Sequence, residues 1–146
     1  MKSAMESFSA TQKEQIKQAI VQAELATSGE IRVHIENTCS DVMNRAAFIF
    51  KQLNMHKTEL RNGVLIYLAI RSHKFAIIGD AGINAKVPEN FWNQTKEEML
   101  SHFVKEEFTE GLCHGIALAG ESLKKYFPRS SEDKNELNDE ISFDNH

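Results

Sequence analysis

Cysteine is scarce in this chain, and the two present are badly placed for joint chemistry. Cys39 and Cys113 lie far apart, with no CxxC and no Cys/His spacing, which argues against a zinc module or a redox pair. Two free, buried thiols in a reducing compartment are the expectation. Long apolar runs are also missing. The longest, Gly63 to Ile70, is far too short to cross a bilayer, and the N-terminal "MKSAMESFSATQKEQ" has no apolar signal-like core. A cytoplasmic protein without stable membrane insertion is therefore expected. There is no basic excess either. From Arg129 onward the chain carries two basic and six acidic residues, leaving fifteen of each sign in the body from totals of 17 and 21. A neutral body without a basic stripe argues against nucleic acid as a partner, because such affinity comes largely from neutralised phosphates.

What remains is enough for one self-sufficient domain. At 146 residues and 41% hydrophobic, the chain can bury a core without a disulfide or metal. The acidic stretch over 129–146 has too few apolar residues to offset its ordering entropy, so a domain over 1–128 followed by a disordered acidic tail is expected. Such a tail is either simply solvating or able to recruit a basic partner.

Within the body, Ser9 and Gln12 form a capping-box signal, and Ile16, Ala19, Ile20 and Ala23 follow at helical spacing. "EIRVHIE" alternates, with Ile31, Val33 and Ile35 on one face and Arg32, His34 and Glu36 on the other. That predicts a strand near a sheet edge with one wetter face, on which His34 is solvated or paired across strands. "SDVMNRAAFIFKQLNMHK" predicts a helix capped by Ser/Asp, with Met43, Ala46, Ala47, Phe50 and Leu53 or Asn54 inward. "NGVLIYLAI" reads as a central strand covered on both faces, joined to "FAIIG" as a hairpin through "RSHK", while the helix between the first two strands favours a parallel crossover. Pro88 suits a helix start, with Phe91 or Trp92, Thr95, Met99 and Phe103 buried. A last helix over 109–126 ends before Pro128, and its Gly111, Gly115 and Gly120 imply close packing against another backbone. The fold class is α/β, a small mixed sheet sandwiched between helices in the order α-β-α-β-β-α-α.

The ordered set "SGEIRVHI", "RNGVLIYLAI", "IIGDAGI" and "FVKEEFTEGLCHGI" resembles the TPM domain family, which includes thylakoid-lumen phosphatases, photosystem II repair proteins and a nematode receptor modulator. The resemblance covers residues 9–127. It implies an α/β sandwich, and it associates some members with acid-phosphatase activity and divalent-cation binding, others with maintenance of protein complexes. The family's Asn-Gly matches Asn62-Gly63, its glycine turn matches Gly79, Asp80 and Gly82, and its acid before an aromatic and a Gly-Leu pair matches Glu107, ahead of Phe108, Gly111 and Leu112. Where many members carry an acid before Asn-Gly, this chain has Arg61. An arginine there repels a cation, or pairs with Asp80 and closes the site.

Asp80 is the leading site residue. It follows a strand, where ligand crevices of α/β sheets open, between glycines that let the backbone turn sharply or approach a small ion. Calcium or magnesium would need further oxygens, for which Glu107, Glu30 and Glu110 are the metal-ligand candidates. Alternatively Asp80 only caps a tight turn. "GDAG" also exposes N–H groups that could meet a phosphate, and Asp80 with Glu107 as acid or base would be the phosphatase pair. Cys113-His114 is not expected to act as a thiol–imidazole pair, since adjacent helix residues diverge. The glutamates from Glu106 to Glu110 read equally well as an exposed face.

The functional expectation is a module that binds calcium or magnesium weakly at an acidic crevice and acts through contacts with a protein partner, leaning away from an enzyme. The alternatives are a divalent-metal-assisted phosphomonoester hydrolase and a ligand-free interaction module.

Overall fold

The structure is a computed structural model that describes residues 3–129 and 139–144. Helix α1, Ala10–Ala26, begins at the expected capping box: Gln12 N–H donates to Ser9 Oγ at 3.1 Å and Ser9 N–H to Gln12 Oε1 at 2.9 Å. Its Ile16, Ile20 and Ala23 are buried. Strand β1, Glu30–Glu36, crosses through helix α2, Val42–Gln52, into strand β2, Gly63–Ala69. The two strands are parallel, in register from Glu30 opposite Gly63 to Glu36 opposite Ala69. Strand β3, Lys74–Gly79, returns antiparallel to β2 as the expected hairpin, turning where His73 adopts φ 54°. Helices α3, Ala81–Asn84, α4, Asn93–Phe103, and α5, Phe108–Lys124, follow, and strand β4, Ser142–Phe143, closes the sheet in the order β3-β2-β1-β4.

Three layers result, and they confirm the α/β sandwich around a mixed sheet. All of β2 is buried, as its unbroken apolar run requires. Its Val64, Ile66 and Leu68 join Ile31, Val33 and Ile35 of β1 beneath α1, α4 and α5, while Leu65, Tyr67 and Ala69 pack under α2 with Ala46, Ile49 and Phe50. The α5 glycines mark close packing, but two of the three meet side chains rather than the backbone expected. A Cβ on Gly111 would sit 2.4 Å from Phe103 Cε1 and one on Gly115 2.4 Å from Met99 Sδ, so α5 lies tightly on α4. Only Gly120 faces another backbone, at Ala23 of α1.

Several local expectations are corrected. The Arg32–His34–Glu36 face of β1 is not wet: His34 and Glu36 are buried, because α2 overhangs it and β4 occupies the flank expected to be an edge. In α2 the inward face is Ala46, Ile49 and Phe50, with partly buried Val42 and Leu53 packed beside them and Met43 and Ala47 exposed. Helix α4 begins at Asn93, so Pro88 lies in the turns before it, while Thr95, Met99 and Phe103 are buried as foreseen. Of the stretch expected to be a solvated tail, residues 130–138 lie outside the described part, but 139–144 return to the body. Ser142 and Phe143 pair with His34 and Ile35 of β1, and Phe143 meets Phe8 at 6.3 Å between ring centroids.

Candidate functional site

Asp80 stands where the end of β3 meets α3, and all its polar atoms are engaged. Its N–H donates to Gly63 O at 2.9 Å, and its Oδ1 accepts Ala81 N–H at 2.8 Å as the cap of α3. Arg61 then grips the carboxylate with both arms, Nε to Oδ2 at 2.7 Å and Nη2 to Oδ1 at 2.8 Å. This two-armed geometry is what a planar guanidinium supplies and an ammonium does not. Burial alone would raise the Asp80 carboxyl, but the bonds from Arg61 and Ala81 outweigh it and hold the group below the usual carboxylate range.

Local backbone geometry delivers Arg61 to this position. Arg61 has φ 51°, and its carbonyl accepts Gly82 N–H at 2.8 Å. A Cβ on Gly82 would lie 2.2 Å from Leu60 O and 2.6 Å from Arg61 O. Gly82 is therefore needed for close backbone approach, and no glycine of the described residues has positive φ. The glycines beside Asp80 do not make a left-handed turn; one of them admits the loop before β2 that carries Arg61.

The other acids named from sequence do not gather around Asp80 as a set. Glu30 opens β1 opposite Gly63, at the same end of the sheet, and is buried. Glu107 stands at the N-cap position of α5 without a side-chain cap bond, pairing instead with His102 at 2.9 Å, and exposed Glu110 follows within the first turn. That region belongs to the opposite end: Phe108 packs on Phe103, and Phe103 on Phe75 near the start of β3. Five strand residues from Phe75 to Asp80 span roughly 16 Å.

A second carboxylate centre, not foreseen, is built on Glu36. Arg45 of α2 donates from Nε to Glu36 Oε2 at 2.7 Å and from Nη2 to Oε1 at 2.9 Å, and the Tyr67 hydroxyl donates to Oε2. His34 Nε2 lies 3.0 Å from Glu36 Oε1, and its Nδ1 lies 2.8 Å from Ser142 Oγ. The His34 ring also stacks on Tyr67, its register partner, with centroids 5.9 Å apart. Arg45 Nη2 reaches Asp144 at 3.4 Å, which ties β4 to the same centre. Burial would raise Glu36, yet the bonds from Arg45, Tyr67 and His34 keep it below its ordinary range; burial lowers His34, despite Glu36, and raises Tyr67. His34 Nε2 thus faces the Glu36 carboxylate, and its Nδ1 faces the Ser142 hydroxyl. Ligand atoms of His34, Glu36 and Asp144 lie within 4.8 Å of one another, so an ion could be held there, in competition with Arg45 for the same oxygens.

Both centres share one design. A carboxylate at a strand terminus is neutralised by a bidentate arginine from a neighbouring segment. The signal for Glu36 was its alternation with His34, but its partners come from a helix, another strand and the C-terminal segment, with no common period.

An apolar hollow of about 60 Å³ lies between β2, β3, α4 and α5, lined by Phe75, Phe103 and Phe108 with Leu100 and Val104 at its rim. Both rim residues are at least half exposed. Among the described residues, no helix is long and apolar enough to cross a membrane.

Comparison with known proteins agrees with this architecture. The NMR structure of BA42 protein from the psychrophilic bacterium Bizionia argentinensis is similar over 94% of this chain and 95% of its own, with 44% identity and a TM-score of 0.89. The N-terminal domain of a protein from P. gingivalis matches over 82% of this chain and 78% of its own at 16% identity and TM-score 0.65. The N-terminal domain of the cg2496 protein from Corynebacterium glutamicum matches over 95% and 81% at 11% identity and TM-score 0.62. These last two speak to the fold alone. Among curated proteins, none is similar enough to match. The family model described as TPM domain matches residues 3–122. With most of its length matched, and with the sheet and the Gly-Asp-Ala-Gly junction in the order that resemblance implied, the chain belongs to the TPM domain family.

Proposed function

We propose that this chain is a non-catalytic TPM module that acts through contacts with a protein partner and binds calcium or magnesium only weakly. The observation that carries the reading is the Arg61–Asp80 clamp, in which one guanidinium engages both carboxylate oxygens. A hard divalent ion needs six or more oxygens with unshared electron pairs directed at it. Here it would have to displace a cation already in place, and Glu107 and Glu110 are too far away to help. The same separation removes the acid–base partner that phosphomonoester hydrolysis at Asp80 would use. The exposed Leu100 and Val104 beside the aromatic hollow give an apolar surface suited to a side chain of a protein partner.

The test is a calcium and magnesium titration followed through backbone amide shifts. In the unaltered protein the amides of residues 79–82 should move little and without saturation in the low millimolar range. Arg61→Asp, which removes the competing charge and adds a ligand, should give saturable shifts at those residues. Tight binding in the unaltered protein, or an Arg61→Asp variant that binds no better, would overturn the reading. So would phosphomonoester turnover that disappears in Asp80→Asn.

A further inference from the structure

We propose a transition-metal site on the outer face of the α4–α5 hairpin, made by His102 Nε2, His114 Nδ1 and Glu98 Oε2, with Glu107 orienting His102. The two imidazole nitrogens face each other at 3.3 Å, and the rings meet edge to face with centroids 5.5 Å apart. Two nitrogens bound tetrahedrally to one zinc ion at ~2.0–2.1 Å stand roughly 3.3–3.4 Å apart. The pair is thus spaced as zinc ligands are.

The local fold explains why they meet. Gly111 and Gly115 bring α5 down onto Phe103 and Met99, so that His114 comes alongside the last turn of α4. Glu98 and His102 are one turn apart on α4 and share a face, and Glu98 Oε2 lies 3.9 Å from His114 Nδ1. A third ligand atom therefore stands beside His114 Nδ1, and rotation of the partly exposed Glu98 side chain toward His102 is needed for it to serve an ion held by both nitrogens.

An independent feature sets the tautomer of His102. The chain reverses between α4 and α5 with Glu106 at φ 60°, and Glu107 N–H donates to His102 O at 3.0 Å. This places the Glu107 carboxylate 2.9 Å from His102 Nδ1. With Nδ1–H donated to Glu107, His102 Nε2 carries its lone pair outward, toward His114. A carboxylate behind a histidine is the usual outer support of a metal-bound imidazole. Two imidazoles and one carboxylate suit zinc, cobalt, nickel or copper rather than calcium or magnesium, which prefer shells of oxygen. A water would complete the four-coordinate shell.

This site is independent of the Asp80 centre, and its test uses different ions and residues. Zinc chloride is titrated into the full chain by calorimetry in a non-chelating buffer, and cobalt(II) is added in parallel while visible absorption is recorded. One saturable event is expected, with zinc shifting amides across residues 98–114 and cobalt giving the intense visible bands of a tetrahedral site. His102→Ala and His114→Ala should each weaken zinc at least tenfold, and Glu107→Ala by roughly tenfold, the lower end for loss of an outer carboxylate. Excess calcium should not compete. All three residues are solvent-accessible, and the amide spectra of the metal-free variants report that the fold is kept. No saturable zinc binding, zinc binding indifferent to both histidine substitutions, or displacement by calcium would each overturn the proposal.

Discussion

Replacing Glu24 with Gln should stabilise this protein, by an amount that grows with pH. Glu24 lies near the end of α1, is only 6% exposed, and accepts the N–H of Ile31 at 3.0 Å. Burial, and next the facing Asp139, push its carboxyl up to about 9, against the opposing effect of the Ile31 bond. The folded protein therefore holds at pH 7 a proton that the unfolded chain has released. A raised carboxyl pKa means that the favourable contribution is complete below the unfolded value of 4.5 and disappears as pH climbs toward 9. Each pH unit in that window removes about 1.4 kcal/mol, so about 3 kcal/mol has gone by pH 7. Gln has the same shape, stays neutral, can accept from Ile31 through its carbonyl oxygen and can donate to Asp139. Urea unfolding of both proteins between pH 4 and 8.5, followed by circular dichroism, provides the measurement. The two should be nearly equal at the acid end and diverge by about 3 kcal/mol at pH 7. Asp80 and Glu36, held low, lose their contributions only as pH falls, and they cancel in the difference between the two proteins. A gap that stays constant with pH would refute the protonated, buried state of Glu24.

Arg45→Met should leave the Glu36 carboxylate buried without its guanidinium and lower stability by about 3–5 kcal/mol at neutral pH. The loss should shrink near pH 4 as Glu36 takes up a proton, and an equal loss at both pH values in urea unfolding would contradict the pairing. Gly82→Ala places a Cβ 2.2 Å from the Leu60 carbonyl oxygen and should cost about 3 kcal/mol, with amide shifts at residues 60–63 as the Arg61 segment is pushed away. A thermal midpoint like that of the parent would show that this approach is not tight. Deleting residues 139–146 removes the Phe143–Phe8 contact and the Arg45–Asp144 pair, and should lower stability by about 2 kcal/mol. An unchanged midpoint would return that segment to the solvated tail expected from composition.

The parts of the fold that could be read from sequence are those where one residue pattern answers to one local physical demand. The run from Gly63 to Ala69 is apolar on both faces because both are covered, and Ser9 with Gln12 closes a capping box whatever happens elsewhere. The α5 glycines likewise marked a close approach. What could not be read is wherever the answer comes from a distant segment. His34 and Glu36 look like a wet face until Arg45, Tyr67 and Ser142 arrive from three other elements to satisfy them. Composition alone likewise made 139–144 a solvated tail, because one phenylalanine that finds Phe8 does not alter an average. At Asp80 the sequence raised both possibilities, an open cation crevice and closure by Arg61. What it did not disclose was the geometry that brings Arg61 onto Asp80, the left-handed conformation of Arg61 and the backbone approach at Gly82.

The same geometry bears on where an ion would act on this protein. At Asp80 and at Glu36 a guanidinium spans both carboxylate oxygens, so an incoming divalent ion meets a resident positive charge and no outward-facing pair of oxygens. Desolvating the ion and expelling the arginine both oppose binding there, and each released arginine would itself need a new partner. Between α4 and α5 the balance is different. The facing groups are imidazoles in contact at 3.3 Å, and the carboxylate behind one of them favours a cation in front of it. On the two proposals made above, ions divide by location: hard cations are opposed at the arginine-filled crevices of the sheet, while imidazole-seeking ones are favoured at the helical hairpin.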